Sequence, residues 1–522
     1  MKSISFAAAG VLGAAALTAH PVSADLPQKA GWPIQLPAGT SGGYVLAPQH
    51  NVALVDLDGQ PGQEVVASSG DQVVVWRSDG TVLPGWPAAV QGAAQAPPSV
   101  GDVDGDGVLD IVQAGRGLQY SDTSHLHVFS AEGVEKPGWP LAYPNLIMHA
   151  ASLADVSQDG ALDLLVQLGA WPPAGTFLAL TGGAQPLGSS WEHSMDSYPL
   201  ACPAVGDLDG DGVPEIAYLT LAQVTVRRAD GQPLAGFPRT ATAGYEHTGS
   251  IVMADLDPDR PGLELTWAEI LAGGSGGPAS LFVADAAGAS LPGFPVEIAA
   301  GALGVAPLSV GDVTGDGALE VVAPANDAGV VVVAATAQVI ATVPATAQLM
   351  ASVQLVDLDG NGQLELVADN NTGDADGRGY LEGWLLDGTS APDFPLRPQG
   401  VTMANGASVG DLDADGVLEL VAVSSELTDP PATWVNVWSL PGAAIASDQW
   451  GTFAGGPGRT NCHRCDGNEP ASPADDAAED GCSCAMIPSE PAPLAPGLMA
   501  LLGLSWAARR RSPRPARRST TS

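Results

Sequence analysis

Short apolar runs recur along most of the chain, with alternating or β-branched residues and turn-forming residues on either side. Val73-Val74-Val75-Trp76 and Val435-Asn436-Val437-Trp438 are typical. Runs of about five residues, rich in Val and aromatics and bounded by Gly, Pro and Asp, predict strands. No stretch of the body sustains a 3.6-residue apolar period with caps, so helices are expected to be rare. Two punctuation marks separate the runs. One is an acidic turn. The other is a turn followed by Gly-aromatic-Pro, as at Gly31-Trp32-Pro33, Gly85-Trp86-Pro87, Gly138-Trp139-Pro140, Gly236-Phe237-Pro238 and Gly293-Phe294-Pro295, with Asp393-Phe394-Pro395 as a variant.

The acidic turn occurs eight times, and its fullest form is Asp-x-Asp-x-Asp-Gly-x-x-Asp/Glu. Numbering that turn 1 to 9, complete copies are Asp102, Asp104, Asp106 and Asp110; Asp207, Asp209, Asp211 and Glu215; and Asp411, Asp413, Asp415 and Glu419. Three copies carry a neutral oxygen at one position: Asp155, Ser157, Asp159 and Asp163; Asp312, Thr314, Asp316 and Glu320; Asp357, Asp359, Asn361 and Glu365. The first copy has Asp56, Asp58 and Glu64 but Gln60 at position 5, and the fifth, with Asp255, Asp257, Asp259 and Glu264, holds one inserted residue. The first aspartates stand 46, 53, 52, 48, 57, 45 and 54 residues apart.

A repeat of about 50 residues with four short strands predicts a blade of a β-propeller, a fold of typically four to eight blades. A linear β-solenoid is the rival, though its coils are usually shorter. Eight units predict eight blades, or seven if a terminal unit is incomplete. The lone Gly31-Trp32-Pro33 and the terminal Asp448-Gln449-Trp450 segment predict that one chain end completes a blade begun by the other. The expectation is therefore an all-β chain: eight four-stranded blades with Asp-rich loops.

Charge sharpens this picture. Of 522 residues, 58 are acidic and 19 basic, giving a formal net charge of −39. Only three are lysines: Lys2, Lys29 and Lys136. A nucleic-acid partner needs a cationic footprint that this chain lacks. The eight loops hold 28 of the 58 acids. Unneutralised carboxylates a few ångströms apart repel one another, and eight copies at one offset argue for bound cations. Calcium takes six to eight oxygens. Carboxylates at positions 1, 3, 5 and 9 with a carbonyl at 7 supply that donor type, and glycine at 6 permits the turn. An EF-hand places its last acid at position 12 before a helix. Here position 9 leads straight into a strand.

These loops resemble the calcium-binding FG-GAP/VCBS-type repeats of integrin-α-like β-propellers, over residues 31–455. The resemblance implies a propeller held by several structural calcium ions at the loop residues named above. It implies no particular ligand, because such propellers serve many functions.

The ends read differently. Lys2, the apolar Phe6–Leu17 run and Val22-Ser23-Ala24 form a secretory signal over residues 1–24. The propeller is expected over 25–460, and an acidic Pro/Ala-rich linker over 461–493. Cys462 and Cys465 form a C-x-x-C pair suited to a disulfide, with zinc as a weaker alternative. Cys202 reads as a small core residue. Over 494–522 an apolar run of about 15 residues, short for a membrane span, precedes Arg509, Arg510, Arg511, Arg514, Arg517 and Arg518. With Gly481-Cys482-Ser483-Cys484 and a proline-rich spacer, this end resembles the MYXO-CTERM sorting domain of myxobacteria. That resemblance implies export to the surface of a Gram-negative cell and removal of the tail. A permanent tail anchor is the alternative.

No G-x-S-x-G, H-E-x-x-H or Walker loop occurs. His50, His149 and His247 stand six to eight residues before acidic turns, where a channel-lining base or metal ligand would lie; ordinary polar strand-end residues are the expected reading. The Gly-aromatic-Pro aromatics are expected to pack between blades rather than stack on sugars. Exposed aromatics for a partner are expected at Trp171-Pro172-Pro173 and Ser190-Trp191-Glu192-His193. The expected function is a monomeric, non-catalytic surface module for an extracellular glycan or protein. The enzymatic alternative is a polysaccharide lyase on the same scaffold.

Overall fold

The computed structural model describes residues 26–36, 52–445 apart from stretches of at most five residues, and Trp450, Cys462 and His463. The expected leader and sorting tail lie outside the described residues, as do Cys465, His50, His149 and Trp171-Pro172-Pro173. No helix occurs among the described residues. Eight antiparallel sheets follow one another, seven built each from one repeat and the eighth from both ends of the chain, and form an eight-bladed β-propeller. In blade 1, Ala53–Val55, Glu64–Ser69, Gln72–Trp76 and Ala88–Ala89 pair in sequence order from inside to outside. The first strands of consecutive blades are neighbours around the axis, including Ala53–Val55 beside Ala407–Gly410 of blade 8.

Two blades depart from the four-strand plan. In blade 3 the inner edge is split, Ile147–Met148 and Ser152–Ala154 both pairing with Asp163–Ala170. In blade 7 three strands, Gln354–Val356, Glu365–Asn370 and Tyr380–Trp384, are joined at the outer edge by the bridge Leu381↔Leu396.

Blade 8 closes the ring. Its strands Ala407–Gly410, Leu418–Ser425 and Thr433–Leu440 come from the C-terminal part of the chain. Its outermost strand, Ile34–Gln35, comes from the N-terminal part, with Ile34 opposite Val435 and Gln35 opposite Trp434. On the C-terminal side, Ala444 lies opposite Asp357 and Trp450 opposite Leu355, both along the inner edge of blade 7. Beyond Trp450, the His463 N–H donates to the Met253 carbonyl of blade 5 at 2.9 Å. His463, three residues past the expected boundary, thus lies against blade 5.

Each blade is covered on both faces by its neighbours, so its middle strands read as continuous apolar runs rather than alternating ones. Asp110–Gly115 and Val330–Val333 are buried throughout. Hydroxyls stitch neighbouring inner strands. Three residues before the first aspartate, Ser99 donates to the Ala151 carbonyl at 2.7 Å, Ser152 to Pro203 at 3.3 Å and Ser408 to Val52 at 3.0 Å.

The Gly-aromatic-Pro aromatics pack between blades, as expected. The indole N–H of Trp32 donates to the Ser78 carbonyl of the next blade at 2.9 Å, Trp86 to Ala131 at 3.0 Å and Trp139 to Gly182 at 2.9 Å. All six bonds from these aromatics to proline are cis. The residue before each of these aromatics has a positive φ, and it is glycine in every one of these blades but blade 7, which has Asp393. A Cβ on Gly85, at φ 97°, would stand 2.0 Å from the Glu132 carbonyl oxygen of the next blade.

Two expectations are corrected. Cys202 is not a lone core thiol: it is buried and disulfide-bonded, and the partly buried Cys462 is disulfide-bonded too. Trp191 is not exposed. Leu187 N–H donates to Ala179 as Leu83 N–H does to Val75, so Trp191 stands at the blade-3 counterpart of the aromatic landmark and packs on Phe177. Its missing Gly-x-Pro frame hid that role.

Trp32 is buried, meets Trp76 edge-on at 6.2 Å, and belongs to the segment that closes the ring. Trp32→Ala is expected to cost about 3–5 kcal/mol, read as a lowered chemical-unfolding midpoint. A change below about 1 kcal/mol would show that the seam does not depend on this peg.

Candidate metal centres

Every acidic loop begins where an inner strand ends, so all eight lie on one rim. The loops fold around their own carboxylates. Asp102 accepts backbone N–H groups from Gly105 at 2.7 Å, Asp106 at 3.2 Å and Gly107 at 2.8 Å. Asp207 accepts the same three from Gly210, Asp211 and Gly212 at 2.8, 3.0 and 2.8 Å, and Asp312 and Asp357 repeat the arrangement. The acid at position 9 turns back and accepts the N–H of position 2. Glu64 does so from Leu57 at 2.8 Å, and Glu365 from Leu358 at 2.7 Å.

Five loops bring carboxylate oxygens of positions 1, 3 and 9 within 4.8 Å of one another: Asp56, Asp58 and Glu64; Asp102, Asp104 and Asp110; Asp207, Asp209 and Glu215; Asp357, Asp359 and Glu365; Asp411, Asp413 and Glu419. Position 5 joins none of these groups. Its oxygen instead accepts the N–H of position 7, as Asp106 does from Val108, Asp211 from Val213, Asp316 from Ala318, Asn361 from Gln363 and Asp415 from Val417, at 2.7–2.9 Å. In blades 3 and 6 the neutral Ser157 and Thr314 leave two acids at positions 1 and 9. In blade 5 the insertion keeps Asp255, Asp257 and Glu264 out of such a group, and Arg260 takes Asp257 at 2.8 Å.

The donor set fits a hard cation. Asp209 Oδ1 and Thr314 Oγ1, both at position 3, are buried atoms with no hydrogen-bond partner. Unpaired oxygens of this kind need a compensating charge or donor. A cation at positions 1, 3 and 9 would neutralise the gathered carboxylates and tie the end of the inner strand to the start of the second.

Burial sets the protonation of position 9. It pushes Glu215, Glu264, Glu320 and Glu365 up to about 7, with neighbouring loop aspartates adding to the effect and backbone N–H groups opposing it. Asp110 and Asp163 rise to about 6, again chiefly through burial.

Two loops contain an ammonium. Lys136 Nζ lies 2.6 Å from Asp104 and 2.7 Å from Asp110. Lys29 Nζ lies 2.7 Å from Asp413 and 2.8 Å from Glu419. Burial works against both charged amines, but the hydrogen bonds to these carboxylates outweigh it and hold both above the ordinary lysine value. In blade 1, Arg77 reaches Asp58 at 2.7 Å from a more exposed position. Nothing in the linear order of residues pairs these bases with those carboxylates.

His247 is buried. Its Nδ1 pairs with the Thr220 carbonyl at 2.8 Å and its Nε2 lies 3.5 Å from Glu269, so it faces protein groups on both sides.

No protein-family model matches the chain. No curated protein matches it. Among solved structures, the V. cholerae biofilm matrix protein Bap1 is similar at 12% identity and a TM-score of 0.41, over 82% of this chain and 94% of that one. BBS1N, crystallised in complex with ARL6DN, is similar at 12% identity and a TM-score of 0.39, over 68% and 97%. A second BBS1N–ARL6DN crystal gives 10% identity and a TM-score of 0.40, over 79% and 97%. Likenesses of this size carry no argument about what this chain does.

The raised acids fix a pH dependence. Their folded values lie above the ordinary 4.5, so between about pH 4.5 and 7 the folded metal-free chain holds protons that the unfolded chain has lost. Metal-free stability therefore falls as pH rises through that window. In chelator, the melting temperature is expected to drop from pH 5 to pH 8. Millimolar calcium at pH 8 should raise it by several degrees, since one site at 100-fold excess over its constant adds about 2.7 kcal/mol. Identical melting with calcium and with chelator at pH 8 would remove the calcium reading.

Proposed function

We propose that this chain is an exported, calcium-loaded propeller of the cell surface that binds an extracellular glycan or protein without turning it over. The gathering of three carboxylates within 4.8 Å in five of the loops supports the calcium part. The ions sit in loops whose carboxylates no basic side chain already pairs, blades 4 and 7 offering the fullest such groups, and they act as staples.

Contrast between the two rims supports the binding part. From the first aspartate to the acid of position 9, the loops keep one length in seven blades and gain one residue in blade 5. At the opposite rim, the connector from second to third strand varies from residues 70–71 in blade 1 to residues 371–379 in blade 7. A constant rim serves the scaffold, and a variable rim is where recognition is placed. The blade-7 connector is organised: Arg397 lies 4.2 Å over the Tyr380 ring and pairs with Asp374 at 2.8 Å and Asp376 at 3.1 Å.

A glycan array and a matrix pull-down with the calcium-loaded chain are expected to give saturable binding that is lost when the blade-7 connector is replaced by the short blade-1 turn. An absorbance assay on acidic polysaccharides is expected to show no unsaturated product. Turnover in that assay would replace the binding module with a lyase.

Export and tail removal follow from the leader and the arginine-terminated end of the sequence. Mass spectrometry of native protein from the cell surface is expected to recover peptides across the propeller and none beyond Cys484. Abundant peptides spanning Arg509–Arg518 would favour a retained anchor.

A further inference from the structure

We propose that Lys29 and Lys136 are internal cations that take the metal position in blades 8 and 2, leaving calcium to the loops that lack a lysine. The proposal deepens the calcium reading above and rests on it in part.

Both lysines stand at one repeat position, two residues before the glycine of Gly-Trp-Pro, in Lys29-Ala30-Gly31 and Lys136-Pro137-Gly138. The backbone fixes that position. Lys29 N–H donates to Val437 and Lys136 N–H to Val128, both at 2.8 Å. The same bond is made by Leu83 to Val75, Leu234 to Val226 and Leu291 to Val283, all at 2.9 Å, and by Ala391 to Gly383 at 2.8 Å. In those blades the side chain is apolar and buried. The position therefore points into the blade, and a lysine placed there carries its amine through the apolar layer to the carboxylates of its own loop. Two of the three lysines in the chain occupy it.

The contacts are those of a resident charge. Each lysine side chain is 14% exposed and bridges positions 3 and 9. Those are two of the three carboxylates that a cation would need. A calcium ion and an ammonium cannot both neutralise them, so blades 2 and 8, two of the three loops with complete acid sets, are closed to calcium while their lysines stay in place.

The test counts calcium bound to the full-length chain by equilibrium dialysis. Lys136→Leu and Lys29→Leu install the residue that blades 1, 4 and 5 carry, and each is expected to add one ion. Lys136→Arg keeps the charge and is expected to leave the count unchanged. On the wild-type background, Asp104→Asn should not lower the count, whereas Asp209→Asn should lower it by one. This second pair tests the assignment even if a leucine variant fails to fold. Leucine variants that bind no more than a calcium-binding wild type, or an Asp104→Asn chain that loses an ion, would overturn the lysine assignment and leave the calcium reading standing. A wild type without calcium beside a Lys136→Leu chain that binds one ion would keep the assignment and overturn calcium in the other loops. No binding in either removes both.

Discussion

Repulsion among carboxylates on one rim is the constraint to which the rest of this structure answers. Five loops hold three carboxylates within 4.8 Å. At about 4 Å, two like charges near a protein surface cost about 4 kcal/mol. The chain meets that cost in three ways. Backbone N–H groups cage the first aspartate of each well-formed loop. Burial leaves the position-9 acids of blades 4 to 7 with a proton near neutral pH. Lysine or arginine reaches into blades 1, 2, 5 and 8.

The blades can carry this rim because their packing is independent of it. Middle strands covered on both faces bury valine, leucine and isoleucine almost completely, and the interblade tryptophans set the spacing through indole hydrogen bonds. The loops also touch one another. Leu162 N–H donates to the Asp102 carbonyl at 3.0 Å, Leu263 N–H to Leu208 at 3.2 Å and the Gln363 amide to Thr314 at 3.2 Å. A change of charge in one loop is thus felt at the backbone of the next.

Much of this was legible in the chain. The eight-fold acidic turn predicted eight blades because its period matches one four-stranded sheet, and Gly-aromatic-Pro predicted interblade pegs because a fixed repeat position implies a fixed neighbour. What stayed hidden depends on reach or on broken patterns. Lys136 reads as an ordinary lysine until the segment after the third strand folds back beside the loop of its own blade. Trp191 lost its flanking glycine and proline and so looked exposed. Cys202 stands alone in its part of the sequence, and nothing near it marks it as disulfide-bonded. Serine three residues before the first aspartate in blades 2, 3, 6 and 8 was a readable signal for the hydroxyl stitches.

Three of the four basic partners lie together, apart from Arg260 in blade 5. Lys29, Arg77 and Lys136 serve blades 8, 1 and 2, the three consecutive blades around the seam where the two ends of the chain meet. Closing that seam joins strands about 400 residues apart, and loop-closure entropy opposes it more than any other pairing in the ring. Lys29 belongs to the segment that closes it, and its bonds to Asp413 and Glu419 fasten Ile34–Gln35 to the blade that this strand completes. A staple made from the chain's own side chains is present at any calcium level. The ring can therefore close without any ion, and on the proposal made above calcium would act only at the loops away from the seam.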